Sequence, residues 1–209
     1  TRAELHAASA PHREDGQVIY PGTCRDLTPA QAAAKARESG RSPALRIRVP
    51  DRETAFTDGH MGRYEENLAR DCGDMVVRRA DGIYVYQLAV TVDDGEAGVT
   101  EVVRGSDLLS SAPRQMYLQE LFGFPHPSYA HVPMLLAPDG RRLSKRDKDL
   151  DLGALRKATT PEAILGTLAY ACGLLDRREA ASAKELAGIF RWENIKRSDI
   201  CLPAASIPV

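Results

Sequence analysis

The sequence predicts an α/β protein in which a parallel sheet with right-handed crossovers is followed by a helical C-terminal part. Two observations support this fold class. In the middle of the chain, short apolar runs rich in β-branched residues alternate with polar or helical segments, which is typical of parallel strands joined by crossovers. Beyond residue 160, apolar residues recur every three or four positions, which indicates helices that pack through one face.

Apolar runs that end at turn residues predict the strands of the sheet. They are residues 45–49, 74–79, 83–92, 99–104 and 131–136. The run 83–92 is almost continuously apolar, which is expected of a strand buried on both faces. The segment 56–64 between two of these strands is polar and rich in glycine, so we expect it to be a loop.

Helix start and stop residues predict the helices. Thr28 is in the N-cap position before Pro29, and Gly40 ends the same helix. Ser110 or Ser111 is expected to cap the next helix, which Gly123 ends. The predicted helices are residues 29–40, 113–122, 161–174 and 181–190.

The composition is that of a globular protein. Its 209 residues, 43% of them hydrophobic, suffice for one domain with a small appendage and a core of ordinary size. The formal net charge of −1 gives no general attraction to nucleic acid, so any RNA contact must come from local patches. Four widely spaced cysteines, no long apolar run and no signal peptide indicate a reduced, cytoplasmic protein that does not span a membrane.

Two basic features point to the chemistry of the site. Residues 141–146 (RRLSKR) form a cationic loop after a Pro-Asp-Gly turn, and the strand 99–104 ends on Arg104. A flexible basic loop suits a polyphosphate, and a guanidinium pairs with both oxygens of a carboxylate. Asp93 and Asp94 are interpreted as helix-capping or sheet-end residues. Because ligands bind beyond the carboxyl ends of strands, these segments are expected to face one cleft.

Each of these features also has a purely structural explanation. The loop 141–146 is equally a solvated basic turn. Arg104 is equally the ion-pair partner of Glu101 or Asp107, and Tyr86 is equally a residue of the core. These alternatives stay open on residue type and spacing alone.

Four segments, in order and at consistent spacing, resemble the catalytic domain of glutamyl-tRNA synthetases, which are class I aminoacyl-tRNA synthetases. They are residues 86–94 (YQLAVTVDD), 98–108 (GVTEVVRGSDL), 131–133 (HVP) and 142–146 (RLSKR). The resemblance runs from about residue 1 to residue 151 and implies a Rossmann-like sheet. Little chain follows Arg146 where such enzymes continue with an anticodon-binding region. This shortness resembles the glutamyl-Q tRNA(Asp) synthetases.

The resemblance implies a role for individual residues. Lys145 matches the second lysine of the family's KMSKS-type loop, so it is the expected catalytic residue. The expected ATP-binding loop is Arg142, Leu143, Ser144, Lys145 and Arg146. Arg104 matches the arginine that holds glutamate, and Tyr86 matches the tyrosine that hydrogen-bonds it. His131 is expected either to be satisfied within the fold or to border the ATP site.

The resemblance also implies a metal site and a division into domains. Tyr20 and Cys24 match one half of the family's zinc site, and the Cys-x-Cys half and the HIGH-type motif are expected upstream of Thr1. Zinc is therefore expected only in the complete protein. The expected domains are residues 1–50, an insertion region, residues 51–150, the second half of the nucleotide-binding catalytic domain, and residues 151–209, the helical part.

Taken together, the resemblance implies an adenylate-forming ligase that activates glutamate with ATP and Mg²⁺ and transfers it to the queuosine base of tRNA(Asp). We expect a cytoplasmic monomer. Two alternatives stay open: the catalytic portion of a discriminating glutamyl-tRNA synthetase, and a non-catalytic tRNA-binding remnant. Residues 201–209 are expected to be a natural end of the chain, which argues against the first alternative.

Overall fold

The computed structural model describes residues 19–143 and 152–202. The chain divides into two compact units. The first unit comprises Thr1–Thr57, Arg63–Val102 and Ser110–Ser128, and the second comprises Asp58–Gly62, Val103–Leu109 and Tyr129–Val209.

The described strands pair two by two. They are β1 (Leu45–Ile47), β2 (Glu53–Asp58), β3 (Gly62–Asn67), β4 (Met75–Arg78), β5 (Glu101–Gly105), β6 (Ser128–Val132), β7 (Leu135–Leu136) and β8 (Ile200–Cys201). β1 pairs antiparallel with β4, and β7 pairs parallel with β8. β2 also pairs with β3, and β5 with β6. The mixture of strands and helices agrees with the predicted α/β class, although pairing among these strands is more local than in one continuous parallel sheet.

The first helix, α1 (Pro29–Ser39), begins and ends as its sequence predicts. The Thr28 hydroxyl accepts the backbone N–H of Gln31, and the Gln31 side chain accepts the backbone N–H of Thr28. This reciprocal capping box stabilises a helix start by about 1 kcal/mol. Gly40 ends the helix in the left-handed conformation, with φ 63°. Local chemistry therefore determines this element, and its prediction is confirmed.

The strand predicted at residues 83–92 is wrong, because the chain forms helix α3 (Tyr86–Ala97) there, after the short helix α2 (Leu68–Asp71). α3 packs on α4 (Ala112–Phe122), and the Gln115 side chain of α4 donates to the Gln87 side chain of α3 over 2.8 Å. Helix packing here outweighs the β-propensity of the apolar run. Asp93 and Asp94 therefore lie inside a helix, not at the end of a strand.

The loop predicted at residues 56–64 is also wrong, because this segment belongs to the β2–β3 hairpin. Its buried positions are polar: Thr54 and Asp58 in β2, and Glu66 and Asn67 in β3. Since the hairpin buries hydrogen-bonded polar side chains instead of apolar ones, its hydropathy does not show the alternation of a half-buried strand.

The remaining predictions for the middle of the chain are close to the structure. α4 follows Ser111 and ends at Gly123, as predicted, although the Ser111 side chain makes no capping hydrogen bond. The predicted strand 131–136 is divided into β6 and β7 around Pro133. A proline cannot donate a ladder hydrogen bond, which explains the interruption.

The C-terminal part of the second unit is helical, as predicted. Its helices are α5 (Leu152–Ala158), α6 (Pro161–Cys172) and α7 (Ala183–Ile189). Thr160 caps α6, and Ser182 forms a capping box with Glu185 at α7. Leu155, Ile200 and Leu202 form the buried cluster of this unit.

Two helical glycines provide a matched test of this packing. A Cβ at Gly166 would overlap the backbone carbonyl of Glu179, whereas a Cβ at Gly188 would meet nothing within 4 Å. Gly166→Ala should therefore lower the free energy of unfolding by about 1–3 kcal/mol through overpacking. Gly188→Ala should raise it by about 0.5–1 kcal/mol through helix propensity. Urea unfolding measures both, and equal effects of the two substitutions would contradict the close approach at Gly166.

Candidate active site

Arg104 is held at the C-terminal end of β5 by two hydrogen bonds. Its Nε–H donates to Nε2 of His131 over 3.0 Å, and its Nη2 donates to the backbone carbonyl of Leu108 over 3.3 Å. The guanidinium carbon also lies 5.3 Å from the centroid of the Tyr129 ring, within range of a cation–π interaction. The side chain is therefore fixed by its surroundings in the second unit.

His131 joins this arginine to a buried carboxylate. Its ring is fully buried, with 0% exposed, and its Nδ1 lies 2.6 Å from Oδ2 of Asp58. The other oxygen of Asp58 accepts the backbone N–H groups of His60, Met61 and His131, at 3.0, 2.8 and 3.0 Å. The three side chains thus form a continuous chain of hydrogen bonds from Asp58 to Arg104.

The hydrogen bonds to Asp58 control its ionisation. Burial alone would raise the pKa of this carboxyl group, but the bond from the His131 side chain and those from the backbone N–H groups of Met61, His131 and His60 outweigh burial and lower the pKa. Asp58 is therefore held as a carboxylate at neutral pH. Sequence analysis missed its role, because no motif spans the 73 residues between Asp58 and His131.

The start of the basic loop is attached to the same turn that follows Arg104. Nη1 of Arg142 lies 3.0 Å from Oδ2 of Asp107, although the Arg142 side chain is 65% exposed. Arg142 also bridges to Leu136, and the backbone N–H of Ala137 donates to the carbonyl of Arg141. Arg104 and Arg142 are thereby brought to one short segment of the second unit, as expected for a shared site.

Of the other residues of the predicted loop, the structure describes Leu143. Leu143 packs against the buried cluster of the second unit. Ser144, Lys145 and Arg146 lie outside the described residues, so the expected catalytic role of Lys145 stays a prediction.

Tyr86 belongs to the first unit. It is the first residue of α3, not the end of a strand, and its side chain is 53% exposed. Val85 precedes it in extended conformation and donates its N–H to the carbonyl of Val77. The exposed phenol is not part of the core, which removes the core-packing alternative for this residue.

Tyr20 and Cys24 lie together, as the proposed half of a zinc site requires. The backbone N–H of Cys24 donates to the Tyr20 hydroxyl over 2.7 Å, and the Arg46 guanidinium lies 3.9 Å from the Tyr20 ring centroid. Burial raises the pKa of Tyr20, and the bond from Cys24 opposes this effect only in part. Nζ of Lys35 lies 3.6 Å from Sγ of Cys24.

These two residues supply only two of the four ligands that a structural zinc needs. Within residues 19–143 and 152–202, no group of three histidine, cysteine or acidic side chains is arranged to hold a metal ion. The described part of the chain therefore does not complete the zinc site. The same residues contain no helix long and apolar enough to cross a membrane.

The geometry can be compared with known proteins. Residues 2–199 match the model of the catalytic domain of class I tRNA synthetases for glutamate and glutamine (E and Q). The chain belongs to this family. The match confirms the resemblance that the sequence motifs indicate and the class I α/β fold.

The curated relatives of this family include proteins named glutamyl-Q tRNA(Asp) synthetase. The relative from Symbiobacterium thermophilum is 46% identical over 99% of this chain, and the one from Geobacter sulfurreducens is 43% identical over 100% of this chain. This chain spans 64% of the length of each of them. A third, from Neisseria meningitidis, is 53% identical over 66% of this chain and 45% of its own length.

Two solved structures of the family have the same fold. A glutamate tRNA ligase from Elizabethkingia meningosepticum, in complex with its amino acid, has a TM-score of 0.71 and 25% identity. A glutamate-tRNA synthetase from Elizabethkingia anophelis has a TM-score of 0.72 and 25% identity. This chain is covered to 99% in both comparisons and covers 45% and 46% of those chains.

The Asp58 carboxylate gives a pH-dependent test of the site. Because its pKa is lowered on folding, its contribution to stability is present above the unfolded pKa, near 3.9, and is lost as the pH falls through the folded pKa. Asp58→Asn should lower the free energy of unfolding by about 3 kcal/mol at pH 7, and the difference should shrink in acid.

Urea unfolding of wild type and variant between pH 7 and about pH 2 measures this difference, because the contribution of Asp58 is lost only below its unfolded pKa. Asp26→Asn is the matched control, because Asp26 is 84% exposed and should change stability by less than about 0.5 kcal/mol. An effect of Asp58→Asn that is small at pH 7, or that grows in acid, would contradict the buried ionised carboxylate.

Proposed function

We propose that this chain is the catalytic part of an ATP-dependent ligase that activates glutamate and transfers it to the queuosine base in the anticodon of tRNA(Asp). The observation that carries the proposal is the pair of arginines around the turn after β5. Arg104 is fixed at the strand end, and Arg142, at the start of the basic loop, is attached three residues later through Asp107. The relatives named glutamyl-Q tRNA(Asp) synthetase support the same reaction.

Activation is the attack of a glutamate carboxylate oxygen on the α-phosphorus of ATP, with pyrophosphate as the leaving group and glutamyl-adenylate as the product. We assign to Arg104 the binding of a substrate carboxylate, because a guanidinium matches two oxygens in one plane. We also assign to Tyr86 a hydrogen bond to the substrate, because its side chain is exposed. Orientation of the amino acid is a large part of catalysis in reactions of this kind.

The basic loop acts on the nucleotide. Negative charge moves to the leaving pyrophosphate, so cations placed there lower the barrier. We assign this role to Lys145, with Arg142, Ser144 and Arg146 as its neighbours in the loop. Mg²⁺ bound to ATP supplies additional neutralisation of the phosphates. The Arg142–Asp107 ion pair attaches the N-terminal end of the loop to the turn after β5.

In the second step, a nucleophilic group of the queuosine base attacks the carbonyl carbon of the adenylate, and AMP leaves. The partners are therefore glutamate and tRNA(Asp) that carries queuosine. The net charge of −1 favours local contacts with the tRNA over broad electrostatic attraction.

A second candidate is the catalytic portion of a glutamyl-tRNA synthetase that charges the 3′ end of tRNA(Glu). The similarity to two solved glutamate-tRNA ligases favours this candidate at the level of the fold. It differs from the first in the tRNA that accepts glutamate, not in the chemistry of activation.

Exchange of pyrophosphate into ATP tests the proposal directly. The full-length gene product should catalyse glutamate-dependent exchange without any tRNA, and should then load glutamate only onto tRNA(Asp) that contains queuosine. Arg104→Lys should raise the KM for glutamate by about tenfold or more, because lysine cannot pair with both carboxylate oxygens. Arg177→Lys, which changes an exposed arginine paired with Glu179, is the matched control. Exchange that requires tRNA(Glu) would contradict the proposal and support the second candidate.

We further propose that Tyr20 and Cys24 contribute two ligands to a zinc site of the complete protein. Their adjacency supports this assignment, and zinc would stabilise the surrounding fold and not take part in the reaction. Cys24→Ala should lower the zinc content of the full-length gene product at least about tenfold, as measured by mass spectrometry of the metal. Cys201→Ala is the control, since Cys201 is also exposed. Equal zinc content in the two variants would overturn the assignment.

A further inference from the structure

We propose that Asp58 and His131 are positioning residues that fix the plane of the Arg104 guanidinium for binding glutamate. The inference rests on the proposed function, in which Arg104 binds a carboxylate of the substrate. It adds Asp58, which no motif indicates, and it links Asp58 through His131 to Arg104. Neither Asp58 nor His131 is assigned a contact with the substrate.

The direction of each hydrogen bond follows from the chemistry of the groups. A guanidinium only donates, so the Nε–H of Arg104 requires Nε2 of His131 to accept. The ring proton must therefore be on Nδ1, where it is donated to Oδ2 of Asp58 over 2.6 Å. One tautomer of one residue satisfies both partners. The other tautomer would place two N–H groups against each other at Arg104 and leave Oδ2 of Asp58 without its donor from the ring.

The Asp58 end of this series of hydrogen bonds is held in place by the backbone. The second oxygen of Asp58 accepts three backbone N–H groups from His60, Met61 and His131, and only 2% of Asp58 is exposed. The imidazole ring is stacked on Tyr129, with ring centroids 6.3 Å apart and planes 20° from parallel. Since Asp58 cannot move away from its backbone donors, His131 cannot rotate without losing a buried hydrogen bond.

At the Arg104 end of these hydrogen bonds, positioning affects substrate binding. Arg104 donates from Nε to His131 and from Nη2 to the carbonyl of Leu108. Two bonds to different nitrogens define the plane of a guanidinium, and a carboxylate binds with both oxygens only when the two planes coincide. Loss of the His131 acceptor should therefore weaken glutamate binding and leave ATP binding unchanged.

We call the hydrogen bonds that join Asp58, His131 and Arg104 the relay. Two substitutions of His131 separate its bond to Asp58 from its bond to Arg104. His131→Asn keeps a donor near the Nδ1 position for Asp58 but removes the acceptor for Arg104. His131→Gln reaches further and can offer an acceptor to Arg104, but it loses the bond to Asp58. Both remove the same buried ring, so both should destabilise the fold to a similar degree. Their difference therefore reports on the guanidinium and not on stability.

The test is the steady-state kinetics of pyrophosphate exchange by the full-length gene product, with urea unfolding of each variant alongside. We expect His131→Asn to raise the KM for glutamate by about tenfold and to leave the KM for ATP within about twofold. His131→Gln should raise the KM for glutamate less. His126→Asn is the control, because His126 is exposed and its Nδ1 lies 2.9 Å from Oε1 of Gln119, away from Arg104 in the sequence and in its partners. Equal effects on the two KM values, or identical behaviour of Asn and Gln, would overturn the relay.

Arg104→Lys separates failure of this inference from failure of the proposed function. If Arg104→Lys raises the KM for glutamate and His131→Asn does not, the relay is wrong and the proposed glutamate site stands. If Arg104→Lys leaves the KM for glutamate unchanged, the proposed role of Arg104 fails and the positioning role fails with it.

Nitrogen NMR of the histidine rings in the wild-type protein tests the relay without any measurement of enzymatic activity. The His131→Gln variant serves only to assign the signal. The chain has five histidines. One ring should carry its proton on Nδ1 with an unprotonated Nε2, and its signal should disappear in His131→Gln. A His131 ring protonated on Nε2 would contradict the bond to Arg104 and overturn the inference.

Discussion

A carboxylate removed from water must be met by hydrogen-bond donors, because an unpaired buried charge costs several kcal/mol. Asp58 meets this requirement with the side chain of His131 and three backbone N–H groups. That solution fixes the tautomer of His131 and leaves its Nε2 as an acceptor. The guanidinium of Arg104 donates to this nitrogen over 3.0 Å. The orientation of the Arg104 side chain in the second unit therefore depends on the hydrogen bonds that Asp58 of β2 accepts.

The turn after β5 connects Arg104 to the start of the basic loop. Arg104 precedes the turn, and Asp107 within the turn holds Arg142 at the start of the basic loop. In the proposed function, the arginine that binds a carboxylate and the residue that anchors the phosphate-binding loop are therefore three residues apart on one segment. The proposed reaction brings a carboxylate of the amino acid to the α-phosphorus of ATP, so both groups must be held close together. Leu143, next to Arg142, packs against the buried cluster of the second unit.

Elements whose information is local were predictable from sequence, and elements that depend on packing were not. α1 and α6 have capping side chains, and α1, α4 and α6 all end at glycines, so their boundaries are determined by a few neighbouring residues. The run that forms α3 has the composition of a strand, and only its packing against α4 makes it a helix. The β2–β3 hairpin buries polar residues such as Asp58, Glu66 and Asn67, which are satisfied by hydrogen bonds that hydropathy does not register. Arg104 and Arg142 were found through motifs, whereas Asp58 and His131 are joined only by folding.

A crystal structure of the full-length gene product with glutamate bound is the most direct test of the central claim that a buried relay presents Arg104 to the substrate. The account predicts that the guanidinium contacts a carboxylate of glutamate while its Nε stays within hydrogen-bond distance of Nε2 of His131, and His131 stays bonded to Asp58. Glutamate bound away from Arg104, or Arg104 bound to glutamate only after leaving His131, would contradict it.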